Sequence, residues 1–224
     1  MILLFSVSSF GQTDMEKGEQ LFKAQRWEQA KPYFEKCLKE KPNNAKIIEY
    51  LGDIAGYQKR WDDALLYYGQ LKKQNVQNAN YWYKYGGALG MKAKSVNKFK
   101  ALGLIDEVEA SFLKAAQLDP KHIETRWALV MLYLELPAVI GGSEDKAQKY
   151  AAELMTISKV DGYLSKGYID EYFKRYTKAE TNYVKAHELG NSKTTFQKLY
   201  NLYQNKLKNA DKARKLKATF DAKD

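Results

Sequence analysis

The stretch most open to a chemical reading is LPAVIGGSEDKA, Leu136 to Ala147. A glycine pair that opens a helix can cradle phosphate on free backbone N–H groups. The neighbouring residues argue otherwise. Ser143 has the character of a helix N-cap, and Glu144 and Asp145 already suit the positive end of that helix. A Walker-type loop needs a Lys-Ser/Thr pair after a strand, and neither is present. The two histidines, His122 and His187, have no HExxH or similar metal spacing, and both read as surface residues. The single cysteine, Cys37, excludes an internal disulfide and a cysteine metal cluster. The carboxylate pairs in SEDKA, DEVEAS and DDA sit at expected helix starts and read as capping. The sequence therefore predicts no metal, no cofactor and no catalytic residues. A hydrolase would require acids and polar groups that converge in a cavity.

The elements that carry these residues follow from composition and periodicity. The chain of 224 residues includes 17 Tyr and four Trp against four Pro, which favours long helices packed through aromatics. The net charge of +10 comes from 37 basic against 27 acidic residues, interspersed along the chain. That pattern suits a solvated surface and allows an anionic partner. Nucleic acid is not an expected partner, because no stripe of Arg and aromatics stands out. The start, MILLFSVSSFGQ, is an apolar run followed by small residues, and 1–11 reads as a shortened export signal cut after Gly11. On that reading the protein is exported, to a periplasm or beyond; without it, the setting is cytoplasmic. No later run is apolar over the ~20 residues that a membrane-crossing helix needs.

Internal repetition governs the rest of the chain. Arg26 and Arg60, Trp27 and Trp61, Ala30 and Ala64, and Phe34 and Tyr68 all recur at an interval of 34, as do Gly18, Gly52 and Gly86. Ala179 and Ala213 repeat that interval. The inner spacing also recurs: Gly18 to Ala30, Gly52 to Ala64 and Gly167 to Ala179 share an offset of 12. Two antiparallel helices per unit explain the residue types. A small residue on the first helix and Ala on the second permit close approach, and an aromatic one turn later (Phe34, Tyr68, Phe112, Tyr183) fills the space between units. Pro42 and Pro120 end second helices. Thr13 and Glu16 have the spacing of a capping box.

With these positions the chain resembles the tetratricopeptide repeat family over nearly all of its length after Gly11. The resemblance implies an all-α, right-handed solenoid of helix pairs with a C-terminal capping helix. Residues 12–224 form one array, with units at 13–44, 45–78, 79–120, 121–160 and 161–193 and a partial unit at 194–224. It also implies a non-catalytic scaffold that binds a protein or peptide on an inner face built from first helices. By register that face holds Met15, Glu19, Phe22, Glu49, Asp53, Tyr57, Tyr83, Met91, Trp127, Met131, Tyr168 and Tyr172. Aromatic and Met side chains interleaved with acids suit a peptide partner, and suit equally a filled inner curve. Met15 and Glu19 do not match the Lys and Asn with which some members grip chaperone tails. Cys37 falls where the family favours a small residue and reads as a packed thiol.

Two units depart from the common period. The offset from Gly86 to Val108 is 22 instead of 12, so the third unit carries about ten extra positions, within MKAKSVNKFKALGLID. In the fourth, the offset from Val130 to Ala147 is 17, five extra. Both read as enlarged turns on one edge, bringing Lys92, Lys94, Lys98 and Lys100 beside Leu136, Ala138, Val139 and Ile140. A basic patch next to an apolar loop predicts a second partner edge. The competing reading has the loop folded back on its own unit and the lysines solvated. A second class of function stays open, an accessory subunit that holds an anionic envelope polymer on its basic surface.

Overall fold

The computed structural model describes residues 13–222, so the reading of 1–11 as an export signal lies outside the described residues. Among the described residues twelve α-helices run in order and no strand occurs. The first six are α1 (Asp14–Lys23), α2 (Trp27–Glu40), α3 (Ala45–Tyr57), α4 (Trp61–Gln74), α5 (Ala79–Ser95) and α6 (Lys98–Leu118). Then follow α7 (Ile123–Glu135), α8 (Glu144–Ile157), α9 (Lys159–Tyr172), α10 (Tyr176–Gly190), α11 (Lys193–Asn201) and α12 (Ala210–Asp221). A π-helical turn, Leu202–Lys206, follows α11. The chain divides into two compact units, one ending at Val108 and the other beginning at Glu109, with α6 running through the boundary.

Local chemistry starts and stops each helix. Asn44 and Asn78, one repeat apart, cap α3 and α5 by accepting backbone N–H bonds. Ser158 and Ser192, again one repeat apart, cap α9 and α11. Thr13 and Glu16 form the reciprocal capping box that their spacing predicts. Between first and second helices, Gln25, Lys59 and Lys174 take φ of 58°, 58° and 57°. Each precedes an arginine whose N–H returns to the carbonyl five positions back, at 2.9, 2.8 and 2.8 Å. That left-handed residue and its return bond reverse the chain within a short turn.

Close approach of the helices depends on three glycines. A Cβ on Gly18 would lie 2.9 Å from Phe34, and one on Gly52 or Gly167 would lie 2.5 Å from Tyr68 or Tyr183. The ring of the second helix thus rests on bare backbone of the first. Ala30, Ala64, Ala147, Ala179 and Ala213 are fully buried on the opposing face. Phe34 and Tyr183 are also fully buried, and each contributes about 1.5–3 kcal/mol through apolar burial. Ala213 is the buried residue of α12, whose remaining positions are mainly charged, so this helix can close the second unit against solvent.

The two inserts are built differently from the expected pair of enlarged turns. Aligned on Gly18, Gly52 and Gly86, α5 runs four positions further than α1 and α3. Aligned on Ala30, Ala64 and Val108, α6 begins seven positions earlier than α2 and α4. Only Val96 and Asn97 separate them. The extra residues therefore lengthen both helices, because 91–95 contain no breaker and α-helix costs little for Lys, Ala and Met. As a result DEVEAS lies inside α6 and does not cap its start. The fourth unit does have an enlarged turn. Leu136 ends α7 before Pro137, Ala138–Ile140 form one 3-10 turn, and Gly141 takes φ 103°. A Cβ on Gly142 would meet the Leu136 carbonyl oxygen at 1.8 Å, so only glycine fits there. Ser143 donates its N–H to the Tyr133 carbonyl at 2.9 Å and caps α8 through its hydroxyl.

Candidate functional site

In the first unit the first-helix face is crossed by a ladder of polar bonds from one repeat to the next. Glu19 on α1 pairs with Lys46 at 2.6 Å and accepts from the Tyr50 hydroxyl at 3.4 Å, both on α3. On α3, Glu49 and Asp53 face Lys84 of α5 at 2.7 and 2.6 Å. Asn80 donates to Glu49 at 3.1 Å, and the Tyr68 hydroxyl donates to Asp53 at 2.6 Å. The Lys46 hydrogen bond holds the Glu19 carboxyl below its ordinary range. Burial pulls the Lys84 ammonium down, but Asp53 and Glu49 outweigh it and leave it raised. The acids of this face are thus pre-positioned and partly neutralised.

The apolar residues of the same face divide into covered and open ones. Met15 and Phe22 pack against the core around Leu21, Phe34 and Leu51. Phe22 meets Tyr50 edge-on at 4.8 Å. Tyr57 stacks on Trp27 at 4.4 Å, meets Phe22 at 6.0 Å and remains 54% exposed. Met91 is 43% exposed and Tyr83 half-buried on α5, with Gly87 between them leaving open space above the backbone. Glu49, Asp53 and Tyr57, at i, i+4 and i+8, form one stripe of α3; Tyr83, Gly87 and Met91 form the matching stripe of α5.

The second unit has its own first-helix face. Trp127 of α7 donates its indole N–H to Asp161 at 2.9 Å and meets Tyr168 of α9 edge-on at 6.4 Å. Lys198 of α11 lies over the Tyr168 ring at 5.2 Å. Met131 is 39% exposed, and Tyr172 is exposed beside Phe173 at 5.2 Å. This surface is aromatic and bounded by a cation, where the first unit offers paired charges.

The residues expected on the inserts are spread over two kinds of structure. Lys92 and Lys94 lie on the last turns of α5, and Lys98 and Lys100 on the first turn of α6. Lys92 reaches Asp62 of α4 at 2.5 Å. Val139 is 92% exposed on the 3-10 turn and Ile140 is half-buried. Glu144 pairs with Arg175 of the next repeat at 2.6 Å, which lowers its carboxyl.

Several important residues gave no functional signal in the sequence. His122 accepts from the Thr125 N–H at 3.2 Å and caps α7, with its side chain 13% exposed, so it is not a surface residue. Arg126, 4% exposed, donates to the Asp119 and Ala116 carbonyls at 2.7 and 3.1 Å, closing the C-terminus of α6. Glu107 and Glu109, inside α6, accept from Tyr85 and Tyr133 at 2.8 and 2.6 Å. A usable signal did exist. Polar pairs between repeats recur at intervals of 30 or 31: Glu19–Tyr50, Glu49–Asn80, Asp53–Lys84, Glu28–Gln58, Asp62–Lys92 and Glu144–Arg175. That interval is the repeat period less one helical turn.

No group of three or more potential metal ligands comes together among the described residues. Cys37 is half-buried and packs beside the Phe34 core, where burial pushes its thiol up. A groove of about 610 Å³ beside α10 and α12 is lined by Val184, His187, Leu199, Tyr203 and Leu216 among others. His187 there lies 3.0 Å from the Thr195 hydroxyl and against Phe196 and Phe220. No described helix is long and apolar enough to cross a membrane.

Comparison with known proteins agrees with this architecture. A family model described as tetratricopeptide repeat matches residues 21–86. Among solved structures, a thermophilic tetratricopeptide-repeat protein of Thermus thermophilus is similar at TM-score 0.71 and 16% identity, over 86% of this chain and 98% of that one. PilW, a widely conserved type IV pilus biogenesis factor, is similar at TM-score 0.67 and 18% identity, over 93% and 91%. YrrB, a tetratricopeptide-repeat protein with an unusual peptide-binding site, is similar at TM-score 0.51 and 15% identity, over 81% and 87%. No curated protein matches by sequence. The fold is therefore all-α and of the tetratricopeptide-repeat type.

Proposed function

We propose, from a chain of tetratricopeptide-repeat fold, that the protein is a non-catalytic scaffold whose first-helix faces dock a protein or peptide. The observation that carries this reading is the stripe of the first unit. Tyr57 and Met91 stand open beside carboxylates that Lys46 and Lys84 already hold in place. Such an arrangement pre-organises a surface, so a partner meets fixed groups and little side-chain entropy is lost on binding. An extended or helical peptide would set apolar side chains against Tyr57 and Met91 and its polar groups along the ladder. Trp127, Met131, Tyr168 and Tyr172 supply a comparable surface on the second unit. The apolar start of the chain supports an exported, periplasmic setting for this work, which cell fractionation tests directly.

The test is site-directed photocrosslinking in the native cell. A photoreactive residue at Tyr57 or Met91 should capture a discrete partner. The same probe at Leu66, which is 70% exposed on a second helix, should not. Capture at Leu66 with none at Tyr57 or Met91 would refute the reading.

A further inference from the structure

The lengthened α5–α6 hairpin carries a surface that the docking reading leaves unused. Its four extra positions on α5 and seven on α6 project about 6–10 Å past the neighbouring turns, at ~1.5 Å per residue. In the first unit those turns form one row, joined by Gln58 to Glu28 and Lys92 to Asp62, both at 2.5 Å. The tip stands beyond that row. Phe99 at its end is 89% exposed and Leu102, one turn further, is 47% exposed. Lys98 and Lys100 flank Phe99, both are exposed, and neither pairs with a carboxylate among the described residues. From Met91 to Ile105 the sequence has four lysines and no acid.

The charge at this tip opposes helix formation. Three of the second helices place acids where the backbone dipole is positive: Glu28 on α2, Asp62 and Asp63 on α4, Glu144 and Asp145 on α8; α10 has none in its first turn. The first turn of α6 has none, and carries Lys98 and Lys100 there instead. The turn is nevertheless well made: Asn97 accepts the Lys100 N–H at 3.1 Å, and the Ser95 hydroxyl caps the Lys92 carbonyl at 2.8 Å. A firm, convex, basic projection with an aromatic at its point does not suit a groove-seeking peptide. It matches a flat anionic surface, where the ring enters the interface and the ammonium groups remain among headgroups.

We propose that the α5–α6 tip docks the protein on an anionic lipid bilayer surface, with Phe99 inserted and Lys98 and Lys100 on the headgroup phosphates. The full chain is sedimented with vesicles of phosphatidylcholine alone and of phosphatidylcholine mixed with phosphatidylglycerol. Binding should require phosphatidylglycerol and fall steeply with added salt. Losing the two lysines should weaken it about 30-fold in Lys98→Gln/Lys100→Gln, since each contributes roughly fivefold near a charged surface. Phe99→Ser should weaken it about tenfold. In Phe99→Trp, whose fold is checked by circular dichroism, the emission added over that of the four native Trp, read as the difference from the parent chain, should shift to the blue on binding. Three results would overturn the proposal: no sedimentation with the mixed vesicles, undiminished binding of the lysine variant, or an unshifted Trp emission while bound. The first would leave an acidic protein as the ligand of the tip. Photocrosslinking at Tyr57 and Met91 reads a different surface, so failure there would leave this test unaffected.

Discussion

Substituting Gly52 by Ala sets two effects against each other that the structure can rank. Alanine gains about 1 kcal/mol over glycine inside a helix. Its Cβ, however, would sit 2.5 Å from one ring carbon of Tyr68 and 2.9 Å from a second. The ring cannot swing away cheaply, because it is 7% exposed and its hydroxyl is held on Asp53 at 2.6 Å. Overpacking of a fixed core costs about 1–3 kcal/mol, and the fixed ring places this case in the upper half. The net is a loss of about 1–2 kcal/mol. At roughly 2–4 °C per kcal/mol for a chain of this size, thermal unfolding should move down by several degrees. Gly87→Ala is the matched control. It lies on the corresponding helix of the next repeat with nothing near its Cβ, so only the helix gain remains and the midpoint should rise. Circular dichroism with heat and with urea reads both. In a Tyr68→Leu background the ring is gone and Gly52→Ala should become neutral or stabilising. If Gly52→Ala raised the midpoint as Gly87→Ala does, close approach of ring to backbone would not be what fixes glycine there.

Other perturbations test separate parts of the fold. Gly142→Ala should cost more stability than Gly141→Asn, since the first drives a methyl into the Leu136 carbonyl while Asn tolerates a positive φ; equal midpoints would refute this account of the turn. His122→Asn should keep the cap on α7 and His122→Ala should lose about 1 kcal/mol, read by urea denaturation. Alkaline titration should resolve the tyrosines. Burial and a neighbouring carboxylate raise Tyr68, Tyr133, Tyr183 and Tyr203 well above the ordinary phenol, and Tyr85 is pushed up to about 12. Above about pH 10 the unfolded chain releases protons that the folded chain retains, so stability falls as pH rises from there. Tyrosinate absorbance from these five should appear together with loss of helix; a full titration near the ordinary phenol value with helix intact would refute it. At the acid end Glu144, held down by Arg175, contributes above its ordinary value of 4.5 and loses that contribution as pH falls through its lower folded value. Glu144→Gln should flatten that limb.

The repeat was legible because its determinants are short-range. Gly18, Gly52 and Gly167 mark where a ring of the paired helix lands, and the interval to that ring is constant, so one chain suffices to find it. Legibility ends where two elements have to be considered together. Spacing alone counts the extra length of the third unit, yet counting cannot distinguish a longer loop from two longer helices. Only the absence of a breaker between Met91 and Ser95 separates them. Glu49 and Asp53 read as open acids because their partner, Lys84, lies in the next repeat at an interval one turn short of the period. Arg126 is invisible for a related reason: besides Glu153 on α8, its acceptors are the backbone carbonyls of Ala116, Asp119 and His122, and every sequence has carbonyls.

The α5–α6 hairpin also bears on how such an array can change over time. Its additional residues continue two existing helix axes and are joined by a two-residue turn, while Val108 still occupies the buried position of Ala30 and Ala64. Beyond Ala93, which is buried, length at this edge is thus largely separate from the interior. A duplication or deletion of a few residues there rotates and raises a tip without altering the register by which repeats stack. Mutation can therefore explore new tips at little risk to folding, which makes this edge the part of the molecule freest to acquire a different specificity.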